Sequence, residues 1–205
     1  MKTLLLDFET SGLNPYHCDV IEIGAKIHET NATYSSLIRP KSETPISDKI
    51  TEITGITNRE IRNVCREKGW TKGGWYDGYA EFYFWLIENI QDKEVTIVSH
   101  NGTTFDFIIL KQMMCDIEQG GGDMTWWLQK KIYWMDTLLF AKRLLLNQEY
   151  FKQITLCRRF KIKVDVSHRA LADVESLGKL YDVLLRLYPF DPHPASLEDY
   201  INLID

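Results

Sequence analysis

No stretch of the sequence approaches the roughly 20 consecutive apolar residues that a membrane span requires. Cysteine is scarce: Cys18, Cys65, Cys115 and Cys157 lie far apart and form no CxxC pair, which argues against a disulfide framework and a cysteine zinc site. The N-terminus lacks a positively charged region leading into a long apolar run, so an intracellular chain with no secretion or membrane signal is expected. An excess of positive charge is missing too. The net charge is −5, whereas proteins that bind nucleic acid mainly by counterion release are usually basic. That deficit does not exclude a nucleic-acid enzyme, because one that holds a phosphodiester through bound cations carries an acidic cluster of its own.

What is present is ordinary globular composition. Apolar residues make up 44% and charged residues 26% of the 205. This length suits one domain, expected over residues 1–190, with a Pro-rich peripheral tail at 191–205. No internal repeat or low-complexity tract interrupts it.

Residues 3–8 form an apolar run, residues 19–29 alternate Val20, Glu22 and Gly24 against Ile21, Ile23 and Ala25, and residues 33–40 close on a proline. Three consecutive strands are the simplest reading. Residues 57–69 place Ile61 and Val64 at helical spacing, with Thr57 as N-cap and Gly69 at the end. Four glycines, two tryptophans and two tyrosines between 68 and 79 read as an irregular loop. A helix at 79–90, a strand at 94–99 and an amphipathic helix at 105–118 follow, the last ended by Gly120, Gly121 and Gly122. Beyond them the pattern predicts a strand at 131–135, a helix from Asp136 to about Leu146, a helix near 153–160 and a long amphipathic helix ending near Tyr188. Hairpin-linked strands followed by alternating helices and strands imply an α/β domain with a mixed sheet covered by helices.

Asp7 and Glu9 end the first strand two positions apart, so both carboxylates project to one face. Asp106 stands where a strand meets an amphipathic helix, and His168 precedes Asp173 by five residues at the entrance of the last helix. Taken singly, each acid has an ordinary reading as a cap, a helix-dipole partner or a solvated group. Taken together, three acid-bearing segments at strand or loop exits would repel if gathered, each pair by roughly 4 kcal/mol at 4 Å and an effective dielectric near 20. Divalent cations would then be needed, and all-oxygen ligation points to Mg²⁺ or Mn²⁺.

The order D-x-E-T-x-G-L from Asp7 to Leu13, H-N-G-x-x-F-D from His100 to Asp106 and H-R-A-L-x-D from His168 to Asp173 resembles the three motifs of the DEDDh 3′-to-5′ exonucleases, relatives of polymerase proofreading subunits. The segment EITGIT at 52–57 and DTLLFAKRLL at 136–145 are similar to further stretches of that family. The resemblance spans residues 3 to about 188 and implies a ribonuclease-H-like fold, a mixed five-stranded sheet flanked by helices. It implies two Mg²⁺ or Mn²⁺ ions held by Asp7, Glu9, Asp106 and Asp173, with His168 as general base. The implied reaction is hydrolysis of single-stranded or frayed DNA from its 3′ end to nucleoside 5′-monophosphates, with RNA left open.

By the same resemblance Thr10 meets the 3′-OH and Leu13 packs on the last base. Ile56 is divided equally between stacking on bases and ordinary core. His100 and Asn101 are expected to shape the bend. The basic residues Arg158, Arg159, Lys161 and Lys163, and Lys130 and Lys131 beside Trp126 and Trp127, read either as a backbone guide with a stacking surface or as solvated faces and core. The Trp/Gly-rich stretches at 68–79 and 119–134 depart from the simplest pattern and suit either a substrate channel or a docking surface for a polymerase or other protein. The alternative to an enzyme is a non-catalytic nucleic-acid-binding or polymerase-associated module of the same fold.

Overall fold

The computed structural model describes residues 1–70, 74–164 and 169–188. Its centre is a five-stranded sheet of β1 (Lys2–Thr10), β2 (Val20–Ile27), β3 (Thr33–Leu37), β4 (Glu94–Ser99) and β5 (Lys131–Asp136), in the order β3-β2-β1-β4-β5. The β1–β2 and β2–β3 pairs are antiparallel, and β1–β4 and β4–β5 are parallel, so the sheet is mixed as expected. Central β1 is covered on both faces, which is why Leu4, Leu5 and Leu6 run consecutively rather than alternating with polar residues.

The even positions Leu4, Leu6 and Phe8 belong to one core layer with residues of α3 (Gly74–Asn89) and α4 (Asp106–Gln119). Leu5, Val98 and Met135 belong to the other, with α6 (Thr137–Leu144), α7 (Gln153–Arg159) and α8 (Ala170–Leu187). A third apolar patch joins Ile21 of β2 to α1 (Asp48–Thr54) and α2 (Asn58–Glu67). Among the described residues no helix is long and apolar enough to cross a membrane.

Thr57 caps α2 as expected, in a reciprocal capping box with Glu60. The Trp/Gly-rich stretch is the main correction. Residues 74–79 are helical, because α3 begins at Gly74. Its glycines serve close packing: a Cβ at Gly78 would lie 2.6 Å from Ile38 Cδ1, while Trp75 and Tyr79 meet edge to face at 5.6 Å. Tertiary packing thus outweighs the low helix propensity of glycine. Two short helices also escape the periodicity reading, α1 and α5 (Thr125–Leu128). α1 is bounded by Ser47 as N-cap and by Gly55 in the left-handed region at φ 71°. The expected tail at 191–205 lies outside the described residues.

Candidate active site

Asp7 and Glu9 continue the face of β1 that carries Leu5, and the register sets them opposite Gly24 and Glu22 of β2. Above this face runs α8. Its first turn approaches so closely at Gly24 that a Cβ there would lie 2.3 Å from the Ala170 carbonyl carbon. Asp173, one turn into α8, is thereby brought over β1. One ligand oxygen from each of Asp7, Glu9 and Asp173 lies within 4.8 Å of the others.

Asp106 arrives from the opposite layer at the start of α4. It is 3% exposed and is fixed by two donors: Phe8 N–H to Oδ1 at 3.2 Å and Ser99 Oγ to Oδ2 at 2.7 Å. All four acids line one cleft of about 330 Å³.

Burial is the largest influence on Asp7, Glu9 and Asp106, and for Asp7 and Glu9 it is followed by repulsion from neighbouring carboxylates. It raises Asp7 well above the usual carboxylate range, with further elevation from Asp106, Glu9 and Asp173. Glu9 is pushed up to about 8 by burial and then by Asp173 and Glu22. Asp106 is raised to about 7 by burial, against the lowering effect of the Ser99 and Phe8 hydrogen bonds. Among the described residues none of Asp7, Glu9 and Asp106 forms an ion pair. Clustered carboxylate oxygens of this kind fit hard divalent ions such as Mg²⁺ or Mn²⁺.

Arg169, whose charge acts on Glu9, is already engaged. Arg169 donates to Glu22 through Nε at 3.2 and 3.3 Å and through Nη2 at 2.8 Å. Glu22, 1% exposed, also accepts from Ala170 N–H at 2.9 Å. It therefore anchors the start of α8, and with it Asp173. The sequence reading places Glu22 only in a strand alternation and misses this role.

Three other residues position the cleft walls. Gln153 Nε2 donates to the Asp173 carbonyl and to Ser176 Oγ, both at 2.8 Å, joining α7 to α8. Buried Asp136 accepts from Asn101 N–H at 3.0 Å and Thr103 N–H at 2.9 Å, holding the bend that leads to Asp106. His100 meets Thr137 Oγ1 at 2.9 Å and the Phe151 carbonyl at 2.8 Å, and burial lowers its pKa. With both ring nitrogens committed, His100 is a strut between segments. Lys152, which no motif marks, is the one lysine or arginine among the described residues that line the cleft.

Thr10, Leu13 and Ile56 are not among the residues that line the cleft. Thr10 is buried, its hydroxyl donating to the Gly12 carbonyl at 2.6 Å, and Leu13 is 93% exposed. Ile56 is 1% exposed and packs with Ile21, Ile46 and Ile61, so the structure places it in core rather than on a base-stacking surface. His168 lies outside the described residues. Trp126 is half-buried, its Nε1–H donating to the Ile90 carbonyl at 3.1 Å, and Lys130 Nζ donates to the Asp92 carbonyl at 2.6 Å. Those two residues brace the β4–β5 side of the sheet.

The exonuclease (RNase T) family model matches residues 4–181. The DNA polymerase III PolC-type of Streptococcus sanguinis is 30% identical over 189 residues, covering 89% of this chain and 11% of that protein. The PolC-type polymerase of Thermotoga maritima is 32% identical over 181 residues, covering 87% and 11%. The chain thus spans about a tenth of the length of the curated relatives it matches. Among solved structures, exonuclease X in complex with 5′ overhanging duplex DNA aligns with a TM-score of 0.62 at 20% identity, covering 94% of this chain and 96% of that one. The nuclease domain of 3′hExo, a DEDDh family member bound to rAMP, aligns at 0.64 and 13% identity, covering 90% and 92%. E. coli exonuclease I in complex with a dA16 oligonucleotide aligns at 0.69 and 18%, covering 98% and 43%.

Proposed function

The chain belongs to the exonuclease (RNase T) family, and from that premise we propose that it is a 3′-to-5′ exonuclease domain of the DEDDh type that removes nucleoside 5′-monophosphates from single-stranded or frayed DNA 3′ ends. The observation that carries this reading is the convergence of Asp7, Glu9 and Asp173 within 4.8 Å, with Asp106 on the same cleft. Asp7, Glu9, Asp106 and Asp173 would hold two divalent cations, Mg²⁺ or Mn²⁺. Bound there, such ions would neutralise the carboxylates and would supply water activation and stabilisation of the leaving 3′-oxygen.

The chain's own residues do the rest. His168 acts as general base, a role that an imidazole can fill near neutral pH. Lys152 offers its ammonium to the terminal phosphate, supplying positive charge as a phosphodiester gains negative charge on attack. Leu13 meets the terminal base, and Thr10, through its turn with Gly12, sets the backbone that faces the 3′-OH. Glu22 and Gln153 keep α8 seated so that Asp173 stays over β1.

DNA is favoured as substrate by relatives named as DNA polymerases and by neighbours solved with DNA. The PolC-type relatives favour a replicative polymerase as partner.

The test uses 5′-labelled single-stranded DNA and matched RNA with Mg²⁺, Mn²⁺ or EDTA, for the wild type and Asp7→Ala. A metal-dependent ladder shortening from the 3′ end, absent in the variant, is expected. Intact substrate under every metal condition, or a ladder that persists in Asp7→Ala, would overturn the reading.

A further inference from the structure

A second concavity, of about 490 Å³, lies between α2 and the chain segment at 39–45. Three arginines from two separate elements line it: Arg39, just past β3, and Arg62 and Arg66, one turn apart on α2. Glu43 is the only acid among the described lining residues, and its contact with Arg39 is long, at 3.6 Å. Among the described residues Arg66 Nη2 bonds only the neutral Asn63 side chain, at 3.1 Å. Arg62 is exposed and has no hydrogen-bond or ion-pair partner among the described residues. On a chain whose net charge is −5, this is a local excess of two positive charges in a groove.

Its place relative to the carboxylates follows from the register. Glu9 pairs with Glu22, and Glu22 pairs with Leu37, so Leu37 stands two strands from Glu9, roughly 10 Å away at the usual strand spacing. β3 runs in the same direction as β1, because both are antiparallel to β2. Arg39 therefore leaves the sheet at the same end as the acids. A strand whose 3′ terminus sits at the carboxylates needs only a few nucleotides to reach the groove.

We propose that the groove of Arg39, Arg62 and Arg66 is a phosphodiester-binding subsite that holds the substrate strand on the 5′ side of its terminal nucleotides. This rests on the exonuclease reading for the position of the 3′ end. Guanidinium groups suit the role because they take phosphate oxygens in a two-pronged fashion and stay charged at any physiological pH. An acidic cleft also gains from a basic groove beside it, which gives a polyanion a foothold that the acids alone would repel.

The test measures binding without turnover, by fluorescence anisotropy of 5′-fluorescein-labelled dT12 and dT3 in EDTA over a range of salt, for the wild type, Arg62→Gln and the Arg39→Gln/Arg62→Gln/Arg66→Gln variant. A circular dichroism melt accompanies each protein, and Arg62→Gln, a change at an exposed side chain, keeps the test valid should the triple variant fold poorly. The proposal expects the triple variant to lose at least tenfold in dT12 affinity and Arg62→Gln to lose severalfold, with dT3 much less affected. Each lost phosphate contact shallows the slope of log affinity on log salt by about 0.7, so the triple variant loses about 2. Unchanged dT12 affinity and slope in both variants would overturn it. So would an arginine-dependent affinity for poly-glutamate with none for dT12, which would assign the groove to an acidic protein. Hydrolysis is not read here, so failure of this subsite and failure of the exonuclease reading are separable.

Discussion

Glu9 and Asp106, with folded pKa values near 8 and 7, bind protons that an unfolded chain releases near pH 4. Between those limits the folded state carries more protons than the unfolded state, so stability falls as pH rises. In EDTA the melting temperature should decline from pH 5 to pH 8, and Glu9→Gln should flatten part of that decline. Adding Mn²⁺ at pH 8 should restore stability, since the ion binds only the folded cluster. A melting temperature that is level or rises over this range in EDTA would contradict the electrostatic account. Glu22 is the residue-scale counterpart outside the cleft. Replacing it with alanine removes bonds to Arg169 and the Ala170 N–H and should cost about 2 kcal/mol in urea denaturation, reduced by the half-exposed guanidinium. Because α8 carries Asp173, turnover should fall with it.

The elements are held to each other by small residues as much as by large ones. Gly24 lets α8 settle on β2, and Gly24→Ala would force the Ala170 backbone away from a Cβ placed 2.3 Å from it. That substitution should cost about 2 kcal/mol and weaken Mn²⁺ affinity, although Gly24 is not a ligand, and calorimetry on the variant would read both effects. Asp136 caps α6 through Leu138 N–H at 2.9 Å while holding Asn101 and Thr103, so Asp136→Ala should cost about 2 kcal/mol. The variant should also lower activity by loosening the bend before Asp106. Strands β1 and β4 and helices α4 and α8 were legible from the sequence because their apolar runs and stripes are long. Residues 74–79 were not, since Gly74 and Gly78 read as a turn, and the close packing of the Ile38 and Trp70 side chains on Gly78 is set by the fold. Glu22 was hidden for a related reason. In its strand it reads as the polar half of an alternation, and its partner Arg169 lies 147 positions away. Asp7, Glu9, Asp106 and Asp173 were legible as a set through their motifs, whereas Lys152 and the arginine groove depend on placements that only the fold supplies.

At the scale of the whole molecule, a net charge of −5 coexists with an acidic cleft and a basic groove at one end of a single sheet. The acids make the cleft repulsive to nucleic acid until cations arrive, so metal and substrate binding should be coupled, each strengthening the other. Such coupling requires that these carboxylates form the metal centre of an exonuclease. Titration calorimetry of Mn²⁺ into the protein with dTMP present, for the wild type and Asp7→Asn, tests it most directly. Two ions per wild-type chain are expected, and fewer, more weakly held ions in the variant. No saturable Mn²⁺ binding to the wild type, or identical binding by the two proteins, would contradict it.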